Sequence, residues 1–522
     1  MASSTFVLML LLSLTPFSFS DQIQETFHVC LSNILNPNTF FTPNDTDFIN
    51  ILDSTAINLR FRTRSTPKPE VIFTPLNETH IQAAVICAKK LGIHLRFRSG
   101  GHDYEGASYT SIMNDSFVVI DLSKMRGVDV NTMDSSVWVE AGATLGELYY
   151  RVQEKSKTLA VAAGMYTSLG AGGHVTGGGY GSMMRKYGLA ADNALDARII
   201  NSNGEILDRA SMGEDLFWAI RGGGGGSYGV IVSWKLRLVP VPSIATIFNV
   251  EKTLQQNATK ILHKWQQVGP TLDENLFVRV FIRPSKTSST TNKTVSTTYQ
   301  AHFLGEANKV MEIMNTGFPE LGLKKQDCLE MSWLKSVMIL SGYPSTAPPS
   351  DLLTGKPTFL NYFKAKADFV KEVIPETGLE GMWKTMLEAE NSPFLIWNPY
   401  GGMMSRIPEP SIPFPHRNVL FKIQYVATWM DDEKEIMNKH VDGINKLYKY
   451  MTRYVSMSPR QAYVNYRDFD LGMNNKNGSY EEVSSWGRMY FKDNFKRLVE
   501  IKTRFDPDNF FRHEQSIPIL SA

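Results

Sequence analysis

Ile93-His94-Leu95-Arg96-Phe97-Arg98-Ser99-Gly100-Gly101-His102 is the stretch on which the reading of this chain turns. Its first six residues alternate as a strand does, and Gly100-Gly101 closes a turn after them. Glycines let a backbone come close to a flat anionic ligand and aim successive N–H groups at it, while the histidine supplies a nucleophilic imidazole beside that ligand. A covalently held flavin fits this arrangement. An ordinary glycine turn with a surface histidine fits these few residues too and is the commoner case, so the decision lies further along.

Glycine is concentrated in two more places, Gly170-Ala171-Gly172-Gly173-His174-Val175-Thr176-Gly177-Gly178-Gly179-Tyr180-Gly181 and the run Gly222 to Gly226 that resumes at Gly229. Both are flanked by apolar, patterned sequence where a flexible linker would have Ser-rich or charged flanks. Close packing of backbone against a large ligand is the better account. Gly224-x-Gly226-x-x-Gly229 matches the dinucleotide expression, but Val230-Ile231-Val232-Ser233-Trp234-Lys235-Leu236 after it reads as a strand. The dinucleotide fingerprint needs a helix there to set its N-terminus on the pyrophosphate. No Walker A sequence is present either.

The chain has 522 residues, room for two or three domains with sizeable cores, and a net charge of +2. That charge shows no bias toward nucleic acid or an anionic membrane. Residues 1–20 carry an apolar run, Phe6 to Leu14, too short to span a bilayer, then a small-residue boundary before Asp21; a cleaved secretory signal is expected, although a positive n-region is missing. Sequons at Asn44, Asn77, Asn114, Asn257, Asn292 and Asn477 agree with an exported glycoprotein, bound for the extracellular space, the apoplast or the vacuole. No later segment is apolar for long enough to span a membrane. Of three cysteines, Cys30 and Cys87 are the expected pair, stapling the mature N-terminus to a helix, and Cys328 reads as a buried small hydrophobe. Zinc-ligand spacing is lacking, so no metal is expected. Nothing points to an oligomeric state.

From Pro67 to about Pro242 helices alternate with short strands. Thr79-His80-Ile81-Gln82 reads as a capping box ahead of a helix, Phe117 to Leu122 and Val137 to Ala141 as buried strands, and Asn203-Gly204 as a hairpin turn. From Ser243 to about Gly472, alternating stretches such as Phe277 to Ile282 and Phe421 to Thr428 are separated by long helical segments, which predicts an antiparallel sheet with helices on one face. The fold class is α+β.

From about Glu25 to Pro518 the sequence resembles the plant berberine bridge enzyme-like flavoproteins, which share the vanillyl alcohol oxidase (PCMH-type) FAD-binding fold. The resemblance rests on Arg98-Ser99-Gly100-Gly101-His102-Asp103-Tyr104-Glu105-Gly106, Gly172-Gly173-His174, Gly177-Gly178-Gly179-Tyr180-Gly181, Gly188-Leu189-Ala190-Ala191-Asp192-Asn193, Gly213-Glu214-Asp215-Leu216-Phe217-Trp218-Ala219-Ile220-Arg221-Gly222-Gly223-Gly224, Asn465-Tyr466-Arg467-Asp468 and Asn509-Phe510-Phe511-Arg512-His513-Glu514-Gln515-Ser516-Ile517-Pro518. It implies an FAD-binding domain over 21–242, a substrate domain over 243–471, and a segment, 472–522, returning to the first. It also implies FAD contacts from Arg98, Ser99, Gly100, Gly101, Asp103, Leu169, Gly170, Gly172, Gly173, His174, Gly178, Tyr180, Gly181 and Asn509.

In that family the histidine at the position of His102 is bonded to the flavin 8α-methyl, and a cysteine further on is typically bonded to C6. That cysteine position is Tyr166 here, which cannot form a thioether, so one covalent link through His102 is expected. Leu169 stands where members that use oxygen readily tend to carry valine, so the resemblance implies a poor oxidase passing electrons to oxygen slowly or to another acceptor. A leucine chosen only for packing fits as well.

Strand alternation in Asn418 to Trp429 puts Lys422 and Gln424 on one face and Phe421, Ile423 and Tyr425 on the other. The resemblance turns Lys422 and Gln424 toward substrate and brings Tyr466 beside them. A free phenol has a pKa of about 10, and a neighbouring ammonium lowers it, so Tyr466 is the expected base as hydride leaves for flavin N5. Family members that oxidise monolignols share this lysine and glutamine. Tyr104 and Tyr180 match positions lining the substrate side of the ring; Arg279, Phe281 and Arg283 share a strand face that points into the cavity or lies at a solvated edge. The resulting expectation is a secreted FAD-dependent oxidoreductase of plant specialised metabolism acting on an allylic alcohol, phenolic or alkaloid-like small molecule. A non-redox cyclase of the Diels–Alderase type on prenylated phenolics is the alternative, and a non-catalytic flavin-binding protein is the third.

Overall fold

In the computed structural model, residues 19–36, 38–113, 115–286, 293–474 and 480–520 are described. Most of the expected leader, residues 1–18, and the sequons at Asn114, Asn292 and Asn477 lie outside them.

A helix over Phe19–Leu31 runs across the expected boundary at Asp21, and its Cys30 is disulfide-bonded to Cys87. Cys87 sits on the helix Glu78–Leu91, whose Ile81, Ala84, Val85 and Ala88 are buried at helical spacing. The expected capping box at Thr79 is not formed. Asn77 is the N-cap, its Oδ1 accepting from His80 N at 3.1 Å and from Thr79 Oγ1 at 2.7 Å, while Gln82 Nε2 donates to Gly204 O at 2.7 Å. Asn is as strong a cap as Ser or Thr, and here it starts the helix before Thr79 is reached.

Two small sheets follow. One runs Phe40–Phe41, Val71–Phe73, Phe117–Asp121, His94–Arg98, with the last three strands parallel. The other is antiparallel, in the order Val128–Asn131, Ser136–Glu140, Val230–Arg237, Ala194–Ile200, Ile206–Leu207. Asn203-Gly204 makes the expected reversal between its last two strands, with Gly204 at φ +78°. The segment after Gly229 is the strand Val230–Arg237, which agrees with the rejection of a dinucleotide fingerprint.

The larger sheet has seven antiparallel strands in the order Cys328–Met331, Ala245–Thr253, Lys293–Phe303, Leu276–Lys286, Phe394–Pro399, Phe421–Trp429, Tyr362–Val370. On one face Val278, Val280, Ile282, Phe421, Ile423 and Tyr425 join a core with Trp265, Met382 and Leu447 from the helices Ala258–Val268, Glu376–Glu388 and Lys434–Met451. The other face therefore carries Arg279, Phe281, Lys422 and Gln424 toward the rest of the molecule. Cys328 begins the edge strand, is half-buried and forms no disulfide among the described residues, a correction to the buried thiol expected.

The last residues pack back on the strand His94–Arg98. Glu514 takes two hydrogen bonds from the buried Arg96 guanidinium, at 2.8 and 2.9 Å, and Phe511 packs against Phe97. Replacing Cys30 and Cys87 together by serine reopens a link spanning 57 residues. The loss of chain constraint is expected to lower unfolding free energy by about 2–4 kcal/mol, measured by denaturant unfolding of the full chain.

Candidate functional site

Parallel register sets Arg98 beside Asp121, and the guanidinium donates to Asp121 Oδ2 at 2.6 Å, to Ile51 O at 2.8 Å and to Leu52 O. Arg98 is fully buried, so its side chain anchors the strand end and does not reach into the turn that follows.

In that turn two backbones touch. A Cβ on Gly100 would lie 2.3 Å from Gly170 N, and one on Gly170 would lie 2.1 Å from Ser99 Oγ. No side chain fits at either position. Ser99 Oγ donates to Ala141 O. The contact brings the loop Tyr166 to Gly170 against His102, whose Nε2 lies 2.9 Å from Ser168 Oγ, with the Tyr166 ring 6.0 Å away, edge-on. Burial pushes the His102 pKa down to about 4, so its imidazole is neutral at pH 7.

His174 accepts from Gly164 N at 2.9 Å and is held neutral by burial, its pKa near 3; it is a packed histidine beneath the loop. Gly172 packs on Ala141, Gly178 on Phe414, and Gly181 on Ala163 O. Gly173, by contrast, has nothing within 4 Å of a Cβ position, Gly225 only Thr176 Oγ1 at 3.4 Å and Gly226 only His513. Asn509, at φ +48°, keeps a buried Oδ1 without a partner, and Arg467 Nη1 and Lys422 Nζ are likewise buried and unbonded. Bare backbone at Gly173, Gly225 and Gly226 and these unpaired polar atoms suit a large polar ligand such as FAD.

Lys422 is completely buried without a hydrogen bond, and three rings surround its Nζ: Tyr180 at 3.2 Å from the centroid, Tyr466 at 4.2 Å and Tyr463 at 4.4 Å. Burial drives the ammonium pKa well below its usual range, while ring faces favour the cation by about 2 kcal/mol in desolvated sites. The Tyr180 and Tyr466 hydroxyls share a hydrogen bond. Tyr466 stacks on Tyr104 at 5.1 Å and 9°, and Gln424 Nε2 donates to Tyr104 Oη at 2.9 Å.

The expectation that Lys422 lowers the Tyr466 phenol is not met. Burial and then the neighbouring Tyr180 and Tyr104 hold it well above 10. Tyr180 is also raised by burial, but the hydrogen bond it shares with Tyr466 and the charge of Arg279 pull it back.

Arg279 reaches this group from the sheet and donates to Gln300 Oε1 at 2.8 Å; burial lowers its pKa to about 10. Phe281 lies between Arg279, at 4.7 Å, and Arg283, at 5.2 Å, and Arg283 is exposed. The face thus splits into an inner arginine and a rim arginine. Sequence reading missed two residues here, Tyr463 and Ser168. The spacing of Tyr463 and Tyr466 was available as a signal, since one turn joins them through Tyr466 N to Tyr463 O at 2.8 Å.

The fold and this cleft define a flavin-dependent oxidoreductase. A family model described as FAD binding domain matches residues 69–209, and one described as berberine and berberine like matches 462–518. Monolignol oxidoreductase AtBBE-like 13 of Arabidopsis thaliana is 58% identical over 521 residues, covering 98% of this chain and 96% of its own. Tetrahydroberberine oxidase of Berberis wilsoniae is 48% identical, covering 100% and 99%. The solved structure of BBE-like #28 from Arabidopsis thaliana superposes with a TM-score of 0.89 at 44% identity, covering 95% of this chain and 100% of that one. The chain belongs to the berberine bridge enzyme-like family of FAD-linked oxidoreductases.

Gly170→Ala is expected to destabilise the protein by about 1–3 kcal/mol through forced overpacking. Gly173→Ala should leave the stability of flavin-free protein within about 0.5 kcal/mol and lower only its flavin content. Denaturant unfolding and the ratio of flavin to protein absorbance check the pair.

His174, His302 and His416 have folded pKa values near 3, 4 and 3 against 6.5. As pH falls the unfolded chain takes up these protons first, so their contribution is complete above about 6.5 and is lost progressively below it. The melting temperature should decline from pH 6.5 toward pH 4; a flat profile over that range would count against neutral burial of these rings.

Proposed function

We propose that this enzyme oxidises a 4-hydroxycinnamyl alcohol or a related allylic or phenolic alcohol, with FAD bonded to His102 alone. The observation that carries the reading is the Lys422 side chain boxed by Tyr180, Tyr463 and Tyr466 beside the Gln424–Tyr104 pair. Likeness to a protein named monolignol oxidoreductase supports the substrate class. Bound FAD supplies the hydride acceptor.

The protein's own groups do the rest. Ser168 engages Nε2 of the neutral His102 and leaves Nδ1 as the nucleophilic nitrogen, while Tyr166 offers no thiol for a second link. The two phenols act as one proton acceptor. In the reactive form Tyr180 is the phenolate, stabilised by a hydrogen bond from Tyr466, expected as the base, and by Lys422 over its ring and Arg279 nearby; it takes the substrate hydroxyl proton and becomes the neutral phenol. Gln424 and Tyr104 orient the alcohol, and Arg279 and Phe281 line the side toward the exposed Arg283. Leu169, whose Cδ1 lies 3.1 Å from a Cβ position on Gly164, narrows access beside the flavin loop and favours an acceptor other than oxygen.

Of the described sequons, Asn44, Asn77 and Asn257 are exposed, and Asn77 caps its helix through Oδ1, leaving Nδ2 for a glycan. These and the disulfide support a secreted or vacuolar glycoprotein. Domain boundaries near Pro242 and Gly472 are proposed because the seven-stranded sheet starts at Ala245 and ends within them.

The test is rapid mixing of flavin-loaded protein with 4-hydroxycinnamyl alcohol without oxygen, and the flavin should bleach. Tyr180→Phe should slow reduction by about 10²–10⁴-fold, with Tyr466→Phe less severe. Lys422→Met removes a cation beside the phenol and raises its pKa, so the rising limb of the reduction rate should move to higher pH. Flavin that stays oxidised with alcohols, phenols and alkaloids, in a protein that joins a diene to a dienophile, would establish the cyclase reading instead. The digested peptide containing His102 should carry the FAD mass.

A further inference from the structure

Tyr104 and Tyr466 come from loops far apart in sequence, and their parallel stacking is not set by the rings alone. Each is followed by charged residues: Glu105 after Tyr104, and Arg467 and Asp468 after Tyr466. Arg467 Nε donates to Asp103 Oδ2 at 2.8 Å. Lys364 Nζ meets Glu105 and lies 2.7 Å from Asp468 Oδ1; Lys366 Nζ lies 2.9 Å from Asp468 Oδ2 and 2.6 Å from Asp470 Oδ2.

Both lysines stand on Tyr362–Val370, the last strand of the seven-stranded sheet. Their register partners Ala427 and Tyr425 belong to the helix-side face, whereas Phe363, which packs on Tyr104 at 5.1 Å, and Ala367, opposite Gln424, belong to the face of the site. The two loops therefore straddle the outer edge of that strand, with tyrosines on one side and acids clamped by lysine on the other. Lys364, Lys366, Glu105 and Asp468 are each at most 5% exposed. Buried ion groups of this kind contribute little net stability, and their best-attested use is to fix one arrangement among several.

We propose that Lys364 is a positioning residue, which by bridging Glu105 and Asp468 across the edge strand holds Tyr104 and Tyr466 in stacking register and so sets the hydrogen bond from Tyr466 to Tyr180. The assignment rests on the proposed oxidation of an alcohol by this site. Lys364→Met combined with Glu105→Gln removes one cation and one anion and leaves Asp468 paired with Lys366.

In the full-length flavin-loaded protein, with 4-hydroxycinnamyl alcohol as probe, this double variant should keep its substrate Kd, lose about 10²-fold in the limiting rate of flavin reduction, and shift that rate's pH midpoint. Lys364→Arg should recover most of the rate. Independently of turnover, 3-fluorotyrosine placed at position 104 should give one fluorine resonance in the parent and a shifted or broadened one in the double variant.

A folded double variant with the parent's rate, pH midpoint and fluorine resonance overturns the proposal. If the double variant does not fold, Asp103→Asn takes its place. It keeps the acceptor that Oδ1 offers to the amides of Glu105 and Ala107 and weakens only the pairing with Arg467. It must show the same loss of rate at unchanged Kd; an unchanged rate, or a loss of rate matched by an equal loss of substrate affinity, overturns the clamp. Parent protein whose flavin no alcohol reduces refutes the oxidation reading, and the fluorine resonance then judges the clamp by itself.

Discussion

The contact of Gly100 with Gly170, backbone on backbone, is the constraint from which the site follows. It requires two chain segments seventy residues apart in sequence, each without a side chain, to meet at the end of a parallel strand pair. Arg98 and Asp121 lock that strand end from below through a fully buried ion pair, so the turn cannot drift. Only then does His102 fall within hydrogen-bonding reach of Ser168, with Tyr166 beside it. A larger residue at either glycine would separate the imidazole from the loop that orients it.

The chemical character of the cleft comes from a different constraint, the placement of an amine where no carboxylate answers it. Lys422 reaches the interior because alternation on Phe421–Trp429 gives its neighbours to the helix core. Among the described residues no acceptor meets its hydrogen-bonding need, and ring faces surround its Nζ. Desolvation opposes the ammonium, ring quadrupoles favour it, and a phenolate formed on Tyr180 would favour it much more. Charge at Lys422 and charge at Tyr180 are thus coupled: each is costly alone and far less costly together.

Much of this was legible in sequence where the signal is local. Period-two alternation separated Lys422 and Gln424 from Phe421, Ile423 and Tyr425, and Arg279 from Val278 and Val280, as the helix-side core does, and Asn203-Gly204 marked its hairpin. What escaped was set by partners distant in sequence. The Arg98 guanidinium is claimed by Asp121 and by carbonyls near residue 51, and nothing in the motif around it announces this. The Tyr466 phenol is raised where lowering by Lys422 was expected, because burial dominates, and burial is a property of the packed molecule. Asn77 displaced Thr79 as helix cap because two acceptable caps stood two residues apart.

The halves of the molecule also had to be joined without filling the cleft between them. Buried arginines do part of this. Arg185 donates to the carbonyls of Pro270, Leu272, Asp273, Leu276 and Tyr400, and Arg417 pairs with Asp192 through two hydrogen bonds of 2.8 and 2.9 Å. Guanidinium groups suit the task, since a planar fork of donors satisfies several loop carbonyls at once and carries little conformational freedom per bond formed. The seven-stranded sheet ends in the edge strand Tyr362–Val370, and Asn58 covers its start by donating to Phe363 O at 3.0 Å and accepting from Phe363 N at 3.2 Å. An amide side chain that mimics a neighbouring strand ends the sheet there, which leaves the rest of that edge for the loops bearing Tyr104 and Tyr466 to fold over. The tyrosines of the cleft are therefore supplied across a sheet edge, and the termination of the sheet is part of how the site is built.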